Sequence, residues 1–248
     1  MKYTLAEIRA ALPPEKRRSD GLWGRFVLRP LSFYFTWLAL KLRMGADAVS
    51  ALSALVSLAS AVLFSCPGFV LPLLGAAGFN LFSILDCVDG NVARITKTAG
   101  PWGGWVDAVT GYAAYTEVFT ALSLYCYLRR PWWPVLVIGG LTGGANLLAR
   151  LAYQNYRSFH PSRSLPPTPS PSAGKVFSLS REQYLADLVG ISGLLMPALL
   201  AAHLLGRGMF LIVGFNFLFY GGGCLFTLGK LVRTCYRERK EETKNGES

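Results

Sequence analysis

Long apolar blocks constrain this chain more than any other feature of its sequence. Each block has about 20 residues, which is enough to cross the roughly 30 Å hydrocarbon core of a bilayer as a helix. A soluble domain of this length would instead alternate apolar and polar faces. The sequence therefore predicts an all-α protein, an integral membrane bundle of six transmembrane helices. The blocks lie at about 47–65, 69–93, 103–128, 133–154, 184–205 and 209–232.

The positions of the basic residues predict how these spans are oriented. The chain has a net charge of +11, and its 25 Lys and Arg residues are unevenly spread. All of them except Arg129, Arg130 and Arg207 fall in residues 1–46, 94–102, 150–183 and from 230 onward. By the positive-inside rule, both termini are cytoplasmic. The charge therefore indicates topology and contact with anionic headgroups rather than nucleic acid, and we expect an integral protein of the bacterial cytoplasmic membrane.

The segment before the first span predicts an interfacial domain at residues 1–46. Residues 3–12 favour a short helix, and aromatic and basic side chains are mixed in GLWGRFVLRPLSFYFTWLALKLR. Such a mixture is typical of an amphipathic helix at headgroup level, and the Arg29-Pro30 pair disfavours the alternative of a seventh span. Residues 47–233 would then form the six-helix transmembrane domain, and residues 234–248 a charged cytoplasmic tail.

Three aspartates stand at the edge of an otherwise apolar region. Asp86 and Asp89 are three residues apart, on one face of a helix, and Asp107 follows a short turn. An unpaired aspartate at the centre of a transmembrane helix costs roughly 2.5–3.5 kcal/mol, and a divalent cation would relieve that cost. Arg94 adds a planar fork suited to phosphate oxygens. Together they favour metal-assisted phosphoryl transfer, although such residues also occur at span ends merely because they meet water.

These residues lie in a longer pattern that resembles the CDP-alcohol phosphotransferase family, D-x-x-D-G-x-x-A-R-x8-G-x3-D-x3-D. The AGKV stretch with Lys175 is a weaker likeness, similar to a Gly-Lys before the fifth span in many members. Residues of the matching type and spacing are Asp86, Asp89, Gly90, Ala93, Arg94, Gly103 and Asp107.

The resemblance implies a membrane transferase of lipid or lipid-linked glycan biosynthesis. An acceptor attacks a CDP-linked donor, either CDP-diacylglycerol or a CDP-linked small alcohol, and CMP leaves. A membrane lipid is then donor or acceptor, and the oligomeric state is open, with a homodimer as one alternative. The implied metal ligands for Mg²⁺ or Mn²⁺ are Asp86, Asp89 and Asp107, of which Asp107 is also catalytic. The implied substrate-binding residues are Asp86, Gly90, Ala93, Arg94, Gly103 and Lys175.

The chain departs from the pattern at Gly111, where the family has its fourth aspartate and general base. One explanation is another group in that role, with candidates Glu117, Asp47, Tyr112 and Asp187. A second is an acceptor that is already an anion and needs no base, and a third is a slow enzyme. General-base help is typically worth about 10²–10⁴-fold.

The missing aspartate also allows a different class of function. The chain would then be a catalytically impaired family member that binds a CDP-linked ligand or lipid as a scaffold or regulator. A transporter is disfavoured, because its polar residues would be distributed through the spans. The acidic residues here gather in one predicted helix hairpin.

Overall fold

The computed structural model describes residues 3–14, 20–159, 189–191 and 193–246, and its regular structure within these ranges is helical. The prediction of an all-α protein is therefore confirmed. A π-helical turn at Gly24–Leu28 leads directly into the second helix. The helices are α1 (Leu5–Ala10), α2 (Arg29–Lys41), α3 (Ala46–Phe64), α4 (Val70–Thr96), α5 (Pro101–Arg129), α6 (Pro134–Phe159), α7 (Leu195–Leu204) and α8 (Met209–Gly246).

Four of these helices are long and apolar enough to cross a membrane. They are α3, α4, α6 and the Met209–Arg237 part of α8. Their outer faces carry large exposed apolar side chains, such as Leu55, Val62, Leu211 and Leu218. Water would make so much exposed apolar surface costly, whereas lipid would cover it. The protein is therefore a membrane protein.

The six-span count goes beyond these four helices. The predicted third span corresponds to α5, whose 29 residues are long enough to cross a bilayer. Its sequence is more polar, because Asp107 and Glu117 lie within it, and it is not one of the four apolar helices. The predicted fifth span, 184–205, is described only in part and ends in the 10-residue α7. Six spans remain a prediction.

The bundle core forms where α3, α4, α5 and α7 meet. Phe64 stacks on Tyr125 with ring centroids 4.8 Å apart, and Phe79 packs edge-on against Phe64 at 6.0 Å. Gly75 lets α4 approach α3 closely, because a β-carbon there would lie 2.4 Å from the backbone nitrogen of Phe64. This close approach makes a rigid α3–α4 hairpin, which positions the last turns of α4.

The N-terminal segment packs against the same hairpin. Helix α1 begins with a capping box in which Thr4 and Glu7 bond each other's backbone, so the short helix predicted at residues 3–12 is confirmed in Leu5–Ala10. Helix α2, with Pro30 in its first turn, packs along α4. Its position at the membrane surface remains a prediction.

A buried histidine joins the helices at the end of the bundle opposite the aspartates. Nδ1 of His203 lies 2.8 Å from the Tyr125 hydroxyl, and Nε2 lies 2.8 Å from the Phe69 carbonyl oxygen. Both ring nitrogens of His203 are thus engaged in holding the helices together.

Candidate active site

A tight turn between α4 and α5 brings the three aspartates together. Helix α4 ends where Lys97 adopts a left-handed conformation with φ 58°, and α5 begins with Pro101 in its first turn. Asp86 and Asp89 lie on the last turns of α4, and Asp107 lies on the second turn of α5. One carboxylate oxygen from each lies within 4.8 Å of the others. The sequence predicted that Asp107 would face the first pair across a hairpin, and it does.

This set of oxygens suits a hard divalent cation. Magnesium binds oxygen ligands at about 2.0–2.1 Å in octahedral geometry, so adjacent ligands lie roughly 3 Å apart and opposite ligands roughly 4 Å apart. An inward movement of the three carboxylates would meet these spacings. Manganese accepts the same carboxylate ligands. The residues present therefore fit Mg²⁺ or Mn²⁺, which would also offset the repulsion between three clustered negative charges.

The three carboxylates differ in how deeply they lie in the protein. Asp89 is buried, and its Oδ2 accepts a 2.7 Å hydrogen bond from Oγ of Ser50 on α3. Asp86 is half-buried, whereas Asp107 is exposed. The hydrogen bond from Ser50 holds one carboxylate oxygen of Asp89 against α3. Asp107 is therefore the carboxylate that a substrate reaches most easily.

Arg94 folds back along α4 toward the cluster. Its Nη2 donates a 2.7 Å hydrogen bond to Oδ1 of Asn91. A β-carbon at Gly90 would lie 3.3 Å from Nη1 of Arg94, so the glycine accommodates the guanidinium. The buried Nε of Arg94 has no hydrogen-bond partner among the described residues. A phosphate oxygen would satisfy that donor, since guanidinium and phosphate pair strongly.

Asn91 connects Arg94 to the N-terminal segment. Its amide nitrogen donates to Oγ of Ser32 at 3.2 Å and to Oγ1 of Thr36 at 3.1 Å, and all three side chains are buried. The sequence interpretation did not single out these residues. The asparagine inside an apolar helix was the signal that could have found them, because a buried amide needs hydrogen-bond partners.

Arg29, on the first turn of α2, forms a partly buried ion pair with Asp20. Nε and Nη2 bond the two carboxylate oxygens at 2.6 and 2.9 Å. Burial by itself lowers the pKa of Arg29, but the hydrogen-bonded Asp20 and the nearby charge of Asp86 outweigh burial and raise it. Arg29 therefore remains charged, and Asp20 balances its charge.

Comparison with known proteins agrees with this geometry. The family model for CDP-alcohol phosphatidyltransferase matches residues 43–170, which is more than half of the chain. The chain belongs to the CDP-alcohol phosphatidyltransferase family. The matched range contains all three aspartates and Arg94, whereas α1 and α2 precede it. None of the curated proteins matches the chain.

Family membership supports a transferase that acts on a CDP-alcohol. The remaining residues that the resemblance implies are Gly103, Ala93 and Lys175. Gly103, in the first turn of α5, is exposed and would admit a β-carbon without any atom within 4 Å. Ala93 is half-buried on α4. Lys175 lies outside the described residues, and the roles of all three remain predictions.

Gly111, one turn after Asp107, leaves open space where the family has an aspartate. A β-carbon built on it meets no atom within 4 Å, and its backbone is helical. An aspartate would therefore fit without strain. The departure from the family pattern is a change in chemistry and not a consequence of crowding.

The residues that could replace the family's general base lie in different surroundings. Glu117 accepts a short hydrogen bond from Oγ of Ser57 on α3. It lies ten residues beyond Asp107, about 15 Å along the helix. Asp47 is exposed in the first turn of α3, and Tyr112 lies beneath the guanidinium of Arg150. Asp187 lies outside the described residues. Among the described residues, neither Glu117 nor Asp47 belongs to the aspartate cluster.

Proposed function

We propose that this protein transfers a substituted phosphate group from a CDP-linked donor to an acceptor and releases CMP, in lipid or lipid-linked glycan biosynthesis. The observation that carries the proposal is the cluster of Asp86, Asp89 and Asp107 within 4.8 Å. Beside it lies Arg94, whose buried Nε has no hydrogen-bond partner in the part of the chain that the structure describes. The donor is CDP-diacylglycerol or a CDP-linked small alcohol. The six predicted spans, with both termini cytoplasmic, would place this site at the cytoplasmic side of the membrane.

Each residue of the site has a distinct part in this proposal. Asp86, Asp89 and Asp107 would hold Mg²⁺ or Mn²⁺, which supplies charge neutralisation for the diphosphate and for the leaving CMP. Arg94 would bind a phosphate oxygen through its guanidinium and would help to orient the donor. The exposed carboxylate of Asp107 would lie nearest to the reacting phosphorus.

Release of CMP by the purified protein tests the proposal. The protein in lipid nanodiscs is incubated with Mg²⁺, a panel of CDP-linked donors and lipid extracts, and CMP is measured by mass spectrometry. We expect release that requires Mg²⁺ and is lost in Asp107→Asn. Glu7→Gln, which removes an acid of α1 outside the cluster, serves as the matched control. CMP release that survives both chelation and Asp107→Asn would exclude this site as the catalytic centre.

Gly111 favours a second candidate function. Without a base at that position, the protein would be a catalytically impaired member that binds a CDP-linked ligand or lipid as a scaffold or regulator. Metal-dependent binding of CDP without CMP release from any donor would support this alternative.

A further inference from the structure

Arg150 of α6 lies level with Gly111 of α5. The two helices are joined by a short connection and pack as antiparallel neighbours. Their register is visible at Gly143, where a β-carbon would lie 3.7 Å from Cα of Thr116. Continuing seven residues, or about two turns, along both helices places Arg150 opposite residue 109. The guanidinium therefore belongs to the same layer of the bundle as the missing aspartate.

The contacts of Arg150 place it against the residues that flank Gly111. Its guanidinium carbon lies 4.6 Å from the ring centroid of Tyr115 and 5.6 Å from that of Tyr112. These two tyrosines follow Gly111 by four positions and by one. Nε of Arg150 donates a 3.0 Å hydrogen bond to Oδ1 of Asn146, which fixes the plane of the guanidinium. Besides Nε–H, the guanidinium of Arg150 has four more N–H donors, held in a rigid fork.

At the level of position 111, the family pattern has a negatively charged aspartate, whereas this chain has the positively charged Arg150. An aspartate one turn after Asp107 would add a carboxylate, whereas this chain has open space at Gly111 and a cation at Arg150. Open space beside a positioned guanidinium suits an anion with several oxygens. A phosphate group accepts bidentate hydrogen bonds from such a fork.

We infer that Arg150 and the open space beside Gly111 bind the phosphate of a phosphate monoester acceptor, and that this phosphate is the nucleophile. The inference rests on the proposed function and specifies its acceptor. An oxygen of the acceptor phosphate forms a bond to the donor phosphorus that carries the alcohol. The bond from that phosphorus to the bridging oxygen breaks, and its electron pair leaves with CMP. The product is a pyrophosphate diester.

This acceptor explains why the chain has no base at position 111. The second pKa of a phosphate monoester is about 6, so at pH 7 the nucleophile is largely deprotonated before it binds. No proton has to be removed from it in the reaction. The guanidinium also reduces the repulsion between the anionic acceptor and the anionic donor, an effect that a carboxylate at position 111 would oppose.

Matched pairs of acceptors test this inference. Methyl phosphate is compared with glycerol as soluble probes, and phosphatidic acid with diacylglycerol as lipid probes, each with the same CDP-linked donors and Mg²⁺. Kinetics of CMP release are measured for wild type, Arg150→Gln and Arg150→Lys. Arg157→Gln, the same change two turns further along α6, is the control. The soluble and lipid pairs show whether the phosphate belongs to a free metabolite or to a lipid.

We expect the phosphate member of one pair to be the better acceptor and the product to contain a P–O–P linkage by mass spectrometry. Arg150→Gln should raise the KM for that acceptor by roughly ten- to a hundred-fold, as expected for the loss of hydrogen bonds to a charged group. Arg150→Lys should be intermediate, and Arg157→Gln unchanged. Use of the hydroxyl acceptors alone, or an unchanged KM in Arg150→Gln, would overturn the inference and leave the proposed function intact.

A binding measurement separates the two proposals if no CMP is released. Wild-type protein with Mg²⁺ and CDP is titrated with inorganic phosphate by calorimetry, beside Arg150→Gln. Phosphate binding that depends on Arg150 supports the acceptor site even in an inactive protein. Its absence from the wild type overturns the inference, whereas the absence of metal-dependent CDP binding overturns the proposed function.

Discussion

The amide oxygen of Asn91 accepts a 2.7 Å hydrogen bond from Nη2 of Arg94, one helical turn further along α4. The amide nitrogen of the same Asn91 donates to Ser32 and Thr36 of α2. One side chain thus connects the N-terminal segment to the arginine that we expect to bind phosphate. Because Asn91 is 2 % exposed, these bonds have no competition from water, and the orientation of Arg94 depends on them.

Replacing Asn91 by alanine should therefore weaken donor binding. The change frees Arg94 from its acceptor and leaves two buried hydroxyls without the amide, at a cost of about 1–3 kcal/mol in stability. We expect a higher KM for the CDP-linked donor, measured by the kinetics of CMP release. The matched control is Asn80→Ala on the same helix, where the amide bonds backbone carbonyls of Ala76 and Met196. Equal KM values for the two variants would contradict a positioning role for Asn91.

Asp89→Ala should abolish metal-dependent binding of a CDP-linked ligand. The variant removes the buried carboxylate that Ser50 orients, and two carboxylates then remain for the cation. Calorimetric titration with CDP, with Mg²⁺ and with chelator, measures the effect. The affinity of the wild type should fall on chelation, while that of Asp89→Ala should be low in both conditions. An affinity that neither the substitution nor the chelator changes would refute the metal site.

The predicted topology can be measured by cysteine labelling. Arg130→Cys lies after α5 on the predicted outer side, and Thr168→Cys lies on the predicted cytoplasmic side, outside the described residues. In a background without the five native cysteines, we expect a membrane-impermeant thiol reagent to label them from opposite sides. Labelling of both from the same side would contradict the six-span arrangement.

Gly111→Asp should lower activity on the native acceptor. The structure has room for the new carboxylate, so the effect would be electrostatic. A negative charge 4 Å from an anionic acceptor costs about 1 kcal/mol in water and about 4 kcal/mol in a partly shielded site. It would also compete for Arg150. Gly111→Asn, of nearly the same size but neutral, is the control, and CMP release is the measurement. A clear gain of turnover in Gly111→Asp would show instead that the family's base had been lost as a defect.

The helical fold and the acidic cluster were predictable from the sequence because their causes are local. Long apolar blocks require helices in a bilayer, since no other single segment satisfies its own backbone hydrogen bonds there. The three-residue spacing of Asp86 and Asp89 places them on one face, and the short turn before α5 limits where Asp107 can lie. The span count was less secure, because α5 carries polar residues that reduce its apolar character.

Tertiary packing decided the relationships between residues distant in sequence. Asn91 meets Ser32 and Thr36 only because α2 packs along α4, and no pattern of spacing predicts that contact. Arg150 reaches the level of Gly111 through the register of α5 and α6, which approach each other closely at Gly139. The sequence alone determined helices, their apolar faces and a chemically distinctive hairpin, since these depend on neighbouring residues. That Arg150 lies level with Gly111, where the family has its fourth aspartate, depends on how whole helices pack, and only the tertiary structure decided it.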